Sequence, residues 1–444
     1  MFATRDLAIA GHGRPGRTKG HSALIAAGVA LILLLIFSTS TVFVQESWPV
    51  ESFQMGVYAL AATYLLCGIR RDSENLAGGV APWLIYFIPA WGVVQILAHT
   101  TASTMETREA VLRWGALAAV FFLTQTVAGT SMAREAMLQA FLCFAAAMAL
   151  LCLTQLFTSA GRVLWIFPSG YPDVYATFPN HNNYAQFIEV SLPIALWRAM
   201  RDGWRSWGYA LVAGVMYASV IGAASRAGAI LCTAELAAML AIGIIQHRRQ
   251  DFRRLLRSSA VALVMVPLLA AIFTSVVGWQ RIWERFQQND AYEGRLEFTL
   301  SAIDMARHRP IMGYGLDTFP EVYQQHAMKE FPFYVNHAHN DWAEFAADGG
   351  IPFLLLVFIP FAAAVPVAIR HPWGLGLAAV MLHACVDYPF PRPAVSGWMF
   401  AMLGLLYMAR NSDRRQQEAA GAPQTDHSRR VLEFKRGTVQ SHRA

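Results

Sequence analysis

The sequence is poor in charged side chains: Asp, Glu, Lys and Arg make up 14% of its 444 residues, against about 25% in soluble globular proteins. Hydrophobic residues make up 55%. They come in blocks of about 20 residues, the length with which a helix crosses a hydrocarbon core of ~30 Å. A buried core helix could explain one such block but hardly a dozen, so the scarcity of charge argues against a soluble fold.

Cysteine is scarce as well. The five cysteines lie within apolar blocks, without the spacing of metal ligands or of a disulfide framework: Cys67, Cys143, Cys152, Cys232 and Cys385. Most basic residues are arginines scattered at the block ends, and they account for a net charge of +6. No basic stripe or binding motif connects them, so we expect membrane lipids around the chain and no nucleic-acid partner.

The apolar blocks predict an all-α, polytopic membrane protein with about twelve transmembrane helices. The predicted spans are residues 22–44, 52–69, 78–98, 110–130, 135–157, 183–200, 206–224, 228–246, 258–277, 350–369, 373–388 and 394–410. Arginines concentrate in the short loops on one side, and the positive-inside rule places that side and both termini in the cytoplasm. The chain then divides into a cytoplasmic tail (1–21), a membrane domain (22–410) and a cytoplasmic tail (411–444) whose polar composition predicts disorder.

One outer loop, at about 278–349, is too long for a plain connection between two spans, and long loops are usually functional or disordered. We expect this loop to be ordered, because it contains many aromatic residues and a helical pattern that ends before Pro310. Its Gly313-Tyr314-Gly315 sequence lacks the preceding strand, the Lys and the Ser/Thr of a phosphate loop, so it is predicted to be a turn.

Two histidines, His337 and His339, close this loop beside Asn340, just before an apolar block. A single histidine is usually a structural or surface residue, but two of them with Asn and Asp at a membrane boundary favour a functional role. No cysteine or HExxH-type spacing accompanies them, so we expect no metal here.

Arginines on the outer side form a second candidate group. Arg226 lies between two predicted spans with hardly any loop, where a charge is costly unless it is paired or hydrated; the alternative is an arginine that snorkels from a helix end. Arg281, Arg285 and Arg295 lie in the long loop. Guanidinium groups suit the oxygens of phosphate, but the same arginines could pair with acidic residues of the loop.

Polar residues near the outer ends of two spans complete the set. His383 and Asp387 are four residues apart in the predicted span at 373–388, so they are expected to share a helix face. Asp387 could orient or charge the histidine, or the two could form a polar pair that fixes helix packing. Asn180 could bind sugar hydroxyls or could cap the helix that follows it.

Together these features resemble the O-antigen ligase and polymerase superfamily, which assembles glycans of the bacterial envelope. The family signature is His-Asn, nine residues and then Gly near the outer end of a late span, and here His339-Asn340 precedes Gly350 with that spacing. Where family members often carry Gly, Thr or Tyr three positions later, this chain has Phe353. The turn at 225–228 and the loop at 294–341 also resemble family positions, and the similarity extends over about residues 100 to 400.

The resemblance implies an inverting glycosyl transfer at the periplasmic face of the bacterial inner membrane, without a metal or a cofactor. The donor would be a glycan on undecaprenyl diphosphate, and the acceptor a sugar hydroxyl of a glycan or of lipid A-core. Arg226 and Arg295 would hold the diphosphate, and His339 would either activate the acceptor or orient the diphosphate. The other residues expected to contact substrate are Arg281, His337, Asn340, Asn180, His383 and Asp387.

The segment at 383–393 looks more like polymerases of O-antigen or exopolysaccharide repeats, so polymerisation is the predicted reaction. A ligase that joins the glycan to lipid A-core is the alternative, and a protein O-oligosaccharyltransferase is a further one. A secondary transporter could also have twelve spans, but transporters tend to show repeats and interrupted midplane helices. This chain shows no internal repeat and concentrates its polar residues in one outer loop.

Overall fold

The structure, a computed structural model, describes residues 15–67, 78–169, 173–200, 205–247 and 290–421, with a few positions between 267 and 275. The predicted span at 258–277 therefore falls almost wholly outside the described residues, and so do Arg281 and Arg285. Among the described residues the fold is helical, as predicted, with one small hairpin in which β1 (Arg162–Val163) pairs antiparallel with β2 (Phe167–Pro168).

The helices, numbered along the chain, are α1 (Pro15–Ser40), α2 (Trp48–Leu66), α3 (Ala81–Leu84), α4 (Phe87–Leu97), α5 (Thr104–Val127), α6 (Ser131–Thr158), α7 (His181–Ala199), α8 (Ser206–Ala223), α9 (Arg226–His247), α10 (Asp290–His308), α11 (Phe319–His326), α12 (Asp341–Arg370), α13 (Gly376–His383) and α14 (Pro393–Gly421). A 3₁₀ turn at Pro372–Gly374 precedes α13. The helix predicted before Pro310 is confirmed as α10.

Six helices in the described part of the chain are long and apolar enough to cross a membrane: Ser22–Ser40, Thr104–Val127, Ser131–Thr158, Ser206–Ala223, Arg226–Ile245 and Asp341–Arg370. Two shorter apolar segments, Ala81–Leu97 and Pro372–His383, add to them. The predicted number of about twelve spans is not confirmed. The predicted span at 78–98 is in fact divided into α3 and α4, each with a proline in its first turn.

Helix α7 lies at the centre of the bundle and packs against α6, α8, α9, α13 and α14. Almost every residue along it is buried, including the polar side chains of Gln186, Glu189 and Ser191. Asn180 caps its N-terminus, because the Asn180 side chain accepts a hydrogen bond of 2.8 Å from the backbone N–H of Asn182. The first turn of α7 is thereby held in place at one end of the bundle.

Helix α12 is broken at Gly350, whose φ of 71° and ψ of 178° are not helical. The predicted turn around Gly313 docks onto this break: Ile351 N donates to Pro310 O at 2.8 Å, and Gly315 N donates to Asp348 O at 2.8 Å. A Cβ at Gly350 would collide with the carbonyl of Ile311. The break thus joins the outer loop to the membrane part of α12.

Helix α14 continues to Gly421, so the predicted start of a disordered tail at residue 411 lies inside a helix. Two side chains explain the extension. Asn411 Oδ1 accepts a hydrogen bond of 3.2 Å from Gly78 N, and Asp413 Oδ2 lies 2.9 Å from His371 Nε2. These contacts tie the end of α14 to neighbouring segments. A prediction based on composition cannot include such contacts.

Candidate functional site

The candidate site is centred on Asp387, in the turn between α13 and α14. The side chain of Asp387 is fully buried. Its Oδ2 accepts a hydrogen bond from the side-chain amide of Asn182, and its Oδ1 accepts one of 2.9 Å from Tyr388 N. A buried carboxylate costs several kcal/mol unless charged partners surround it, so the neighbouring cations decide whether this one can be ionised.

Two basic side chains approach Asp387 from the outer loop. His339 Nδ1 lies 3.5 Å from Oδ1, and Arg295 Nη2 lies 3.6 Å from Oδ2. Arg295 is held from its other nitrogen, since Nη1 donates to Val386 O at 3.1 Å. Burial alone raises the pKa of the Asp387 carboxyl, but the closeness of His339 and the charge of Arg295 outweigh burial and hold that pKa well below its usual range. Asp387 is therefore a carboxylate.

His339 adopts a left-handed backbone conformation, with φ of 51°. For a residue other than glycine this costs on the order of 1–3 kcal/mol, and it persists only where neighbours impose it. Ala338 O accepts a hydrogen bond of 3.2 Å from Thr299 Oγ1 of α10, and Asn340 caps α12 by accepting one of 3.1 Å from Ala343 N. His339 is thus held between α10 and α12, with Nδ1 turned toward Asp387.

His337 is oriented by a different carboxylate. Its Nδ1 lies 2.9 Å from Glu344 Oε1, and the second oxygen of Glu344 accepts a hydrogen bond of 2.7 Å from Ala338 N. The His337 ring stacks on Tyr388, with ring centroids 4.4 Å apart, and the ring of His339 meets the same tyrosine edge to face at 4.9 Å. Tyr388 therefore joins the two histidines into one surface.

The short turn between α8 and α9 reaches Asp387 through one intermediate residue. Ser225 Oγ donates to Asn182 Oδ1 at 2.8 Å, and Asn182 in turn donates to Asp387. Ser225 Oγ also accepts a hydrogen bond of 3.2 Å from Gly228 N and so caps α9. Arg226, the first residue of α9, is half-buried next to this chain of hydrogen bonds.

The expected pair of His383 with Asp387 does not form. Helix α13 ends at His383, so Asp387 no longer continues its face, and the turn carries the carboxylate toward His339. His383 instead pairs with Glu189 of α7, with 2.8 Å between Nδ1 and Oε1 and both side chains fully buried. Asn180 acts as the helix cap described above, and Arg281 lies outside the described residues.

Three residues of the site were missed by the reasoning from the sequence: Asn182, Tyr388 and Arg392. The Arg392 guanidinium lies 5.5 Å from the centroid of the Tyr388 ring, and its Nε is buried without a hydrogen-bond partner among the described residues. Arg392, like Arg226, lies at the end of a predicted span, where a charge is costly. The argument that identified Arg226 would therefore have identified Arg392 as well. The sequence around Asn182 gave no comparable indication of its contact with Asp387, because the partners of a buried amide are known only from the tertiary structure.

These side chains can bind an anion and move a proton. Arg295 and His339 are each about a quarter exposed, at 24%, beside a carboxylate that is fully buried. Guanidinium groups bind phosphate oxygens in bidentate fashion, and an imidazole can exchange a proton near neutral pH. The group therefore combines a binding site for a phosphate ester with a candidate acid or base.

Residues 209–358 match the family model described as O-Antigen ligase. The matched stretch runs from the start of α8 into α12 past Gly350, and it contains Arg226, Arg295 and His339. No curated protein matches the chain at a significant level.

Proposed function

Since the chain is a member of the O-antigen ligase and polymerase superfamily, we propose that it transfers a glycan from undecaprenyl diphosphate to a sugar hydroxyl, with polymerisation of O-antigen or exopolysaccharide repeats as the reaction. The broader role, glycan transfer of the O-antigen ligase or polymerase type by a membrane protein, follows from the family. The donor, the inverting course without a metal, and the location at the periplasmic face of the inner membrane are part of the proposal.

One arrangement supports this function above all others: Arg295 and His339 come from two separate parts of the outer loop and meet at the same buried carboxylate, Asp387. A loop that only covered the bundle would not need an arginine and a histidine at one buried carboxylate. Asp387 contacts His339 through Nδ1 and Arg295 through Nη2, so in the proposed function a substrate meets His339 at Nε2 and Arg295 at the N–H groups that face away from Asp387 and Val386. An anionic substrate is the expected one, because Arg226 and Arg392 add further positive charge to this end of the bundle.

In the proposed reaction the acceptor oxygen attacks the anomeric carbon of the donor sugar as the bond from that carbon to the diphosphate oxygen breaks. Both electrons of that bond leave with the diphosphate, whose growing charge Arg295 and Arg226 stabilise; one such group contributes roughly a 10²–10³-fold rate increase. The acceptor hydroxyl loses its proton to His339 or, if His339 binds the diphosphate instead, to the leaving group. Holding two large substrates together supplies much of the remaining acceleration.

In the proton-transfer version, Asp387 orients the ring of His339. With Nδ1 turned toward the carboxylate, Nε2 is the nitrogen on the opposite side of the ring, where an acceptor hydroxyl can approach. A base positioned in this way contributes roughly 10²–10⁴-fold to the rate.

The nature of the acceptor separates two versions of this function. The segment at 383–393 favours a polymerase, in which the acceptor is a second lipid-linked glycan. The description of the matching family favours a ligase, in which the acceptor is lipid A-core. The two reactions share donor, leaving group and site, so the same reconstituted protein tests both when it is offered each acceptor in turn.

The test is glycan transfer by the full-length chain in proteoliposomes with a lipid-linked glycan donor. We expect His339→Ala to lower the rate roughly 10²–10⁴-fold and Arg295→Ala roughly 10²–10³-fold. A matched control is His371→Ala, because His371 also pairs with an aspartate and is 25% exposed, but it lies near the end of α14, away from the site.

Normal transfer by His339→Ala and Arg295→Ala would refute the proposed site. Transfer to lipid A-core but not to a second lipid-linked glycan would replace the polymerase with the ligase. Uptake of a solute into sealed vesicles with no transfer to either acceptor would favour the secondary transporter instead.

A further inference from the structure

A second group of histidines lies on the outer loop, away from Asp387. Asp304 and His308 are one turn apart on α10, and His326 is the last residue of α11. Each can offer one ligand atom, and these atoms all lie within 4.8 Å of one another. His326 Nδ1 is 2.7 Å and His308 Nδ1 is 3.5 Å from the same oxygen of Asp304, Oδ2.

We propose that Asp304, His308 and His326 bind a divalent transition metal, with Zn²⁺ as the ion that their donors suit best, and that this metal ties α10 to α11. Two histidines and one carboxylate form a ligand set of the kind that Zn²⁺ accepts. Ligands at 2.0–2.2 Å from a tetrahedral ion lie roughly 3.3 Å apart. The two distances to Asp304 Oδ2, 2.7 Å and 3.5 Å, bracket that spacing, and all three ligand atoms lie within 4.8 Å of one another. His308, whose side chain is 60% exposed, leaves the fourth position open to water.

The surroundings of His326 are those expected of a metal ligand. Its second nitrogen, Nε2, lies 3.0 Å from the hydroxyl of Tyr314, and a histidine that binds a metal almost always has its other nitrogen hydrogen-bonded in this way. Tyr314 is itself fixed, because its backbone N–H donates to Ala347 O at 3.1 Å and the guanidinium of Arg309 lies 4.4 Å from its ring centroid. The ring of His326 is therefore held with Nδ1 toward Asp304.

Two imidazoles lie beside the one carboxylate of Asp304. The rings of His308 and His326 have centroids 5.0 Å apart, and His308 Nδ1 also lies 2.9 Å from the backbone carbonyl of Asp304, a contact that it would exchange for the metal. A divalent cation accounts for the convergence of all three side chains.

The metal site would act on the position of Arg295. Asp304 follows Arg295 by nine residues on the same helix, or about 13 Å along its axis. A metal that joins the far end of α10 to α11 restricts rotation of α10 and so steadies the guanidinium at Asp387. This consequence, unlike the metal site itself, rests on the proposed function.

The test is Zn²⁺ binding by the full-length purified chain, freed of any affinity tag and of metal by a chelator and kept in lipid nanodiscs. We expect one Zn²⁺ per chain by mass spectrometry, and a Co²⁺ form with the visible absorption of a tetrahedral site. His308→Ala and His326→Ala should abolish stoichiometric binding. Tyr314→Phe should weaken it by roughly 10–100-fold, the effect of losing an outer hydrogen bond to a ligand.

His371→Ala is the control, because it removes a histidine that pairs with a single aspartate, and it should bind Zn²⁺ as the unchanged protein does. His308→Ala carries little risk of misfolding, since its side chain is mostly exposed. No stoichiometric Zn²⁺ in the unchanged chain, or equal binding by His308→Ala, would overturn the proposal. Because binding is measured without donor or acceptor, its failure says nothing about glycan transfer, and the two proposals fail separately.

Discussion

At the scale of single residues, Asp387 determines the character of the site. It is fully buried and still has the low pKa of a carboxylate that cations surround. Two of its partners, Arg295 and His339, are more exposed than Asp387 and can reach a substrate. In the proposed function, Asp387 is therefore a positioning residue: it contacts Arg295 and His339 rather than the substrate.

Asp387→Asn removes the charge and keeps the size of the side chain. We expect glycan transfer to fall by roughly 10²-fold, because His339 and Arg295 lose the carboxylate that orients them. Initial rates with the lipid-linked donor measure the effect. Asp413→Asn, which removes the partner of His371 near the end of α14, is the matched control and should transfer at the normal rate; equal rates for both variants would contradict the role of Asp387.

The pH dependence of stability gives this prediction a second measurement. The pKa of Asp387 is lower in the folded chain than in the unfolded one, so its ion pairs stabilise the fold above the ordinary Asp pKa of about 4. That stabilisation is lost only as the pH falls through the lower, folded value. The difference in melting temperature between the unchanged chain and Asp387→Asn should therefore stay constant from neutral pH down to about pH 4. A difference that disappears near neutral pH would show that Asp387 is not the ionised group.

At the scale of elements, the site depends on where three helices begin. Asn180 caps α7, Ser225 caps α9 and Asn340 caps α12. Each cap lies within two residues of a side chain of the site: Asn182, Arg226 and His339. Polar helix caps can be recognised in the sequence, so these boundaries were within reach of prediction. The early end of α13 was not, because its apolar sequence continues past His383.

The break in α12 should be sensitive to a side chain at Gly350. Gly350→Ala places a Cβ against the carbonyl of Ile311 at a φ that alanine rarely adopts, which costs roughly 1–3 kcal/mol for the backbone alone. We expect a lower melting temperature and weaker docking of the loop. Gly208→Ala in α8 is the control, because a Cβ there meets nothing within 4 Å, and alanine in a helix stabilises by roughly 0.5–1 kcal/mol over glycine. Equal melting temperatures for the two variants would show that the stability of the fold does not depend on the break at Gly350.

At the scale of the whole molecule, the bundle buries helices that a hydropathy test does not detect. Helix α7 carries Asn182, Gln186 and Glu189 and still lies inside the protein. A helix surrounded by other helices can satisfy polar side chains within the bundle, whereas a helix that faces lipid cannot. For this reason the six helices that are apolar by composition do not by themselves settle the topology.

The proposed orientation places Phe333 of the outer loop and Glu418 of α14 on opposite sides of the membrane. Both are exposed. After replacement of the native cysteines by serine, we expect a cysteine at position 333 to react in intact cells with a maleimide that reaches the periplasm but does not cross the inner membrane. A cysteine at position 418 should react only after the cells are opened. Labelling of position 418 in intact cells, with position 333 protected, would reverse the orientation.

The sequence by itself determined that this is a helical membrane protein with a helix that ends before Pro310, because hydrophobic length and helix signals act over a few neighbouring residues. It also pointed to His339, Arg226 and Arg295 through the cost of charge near a membrane and through family resemblance. Only the tertiary structure decided which side chains meet. Asn182 and Asp387 are 205 positions apart in the chain, and His326 lies 22 positions beyond Asp304. Such contacts follow from how helices pack and where they end, and no local pattern records them.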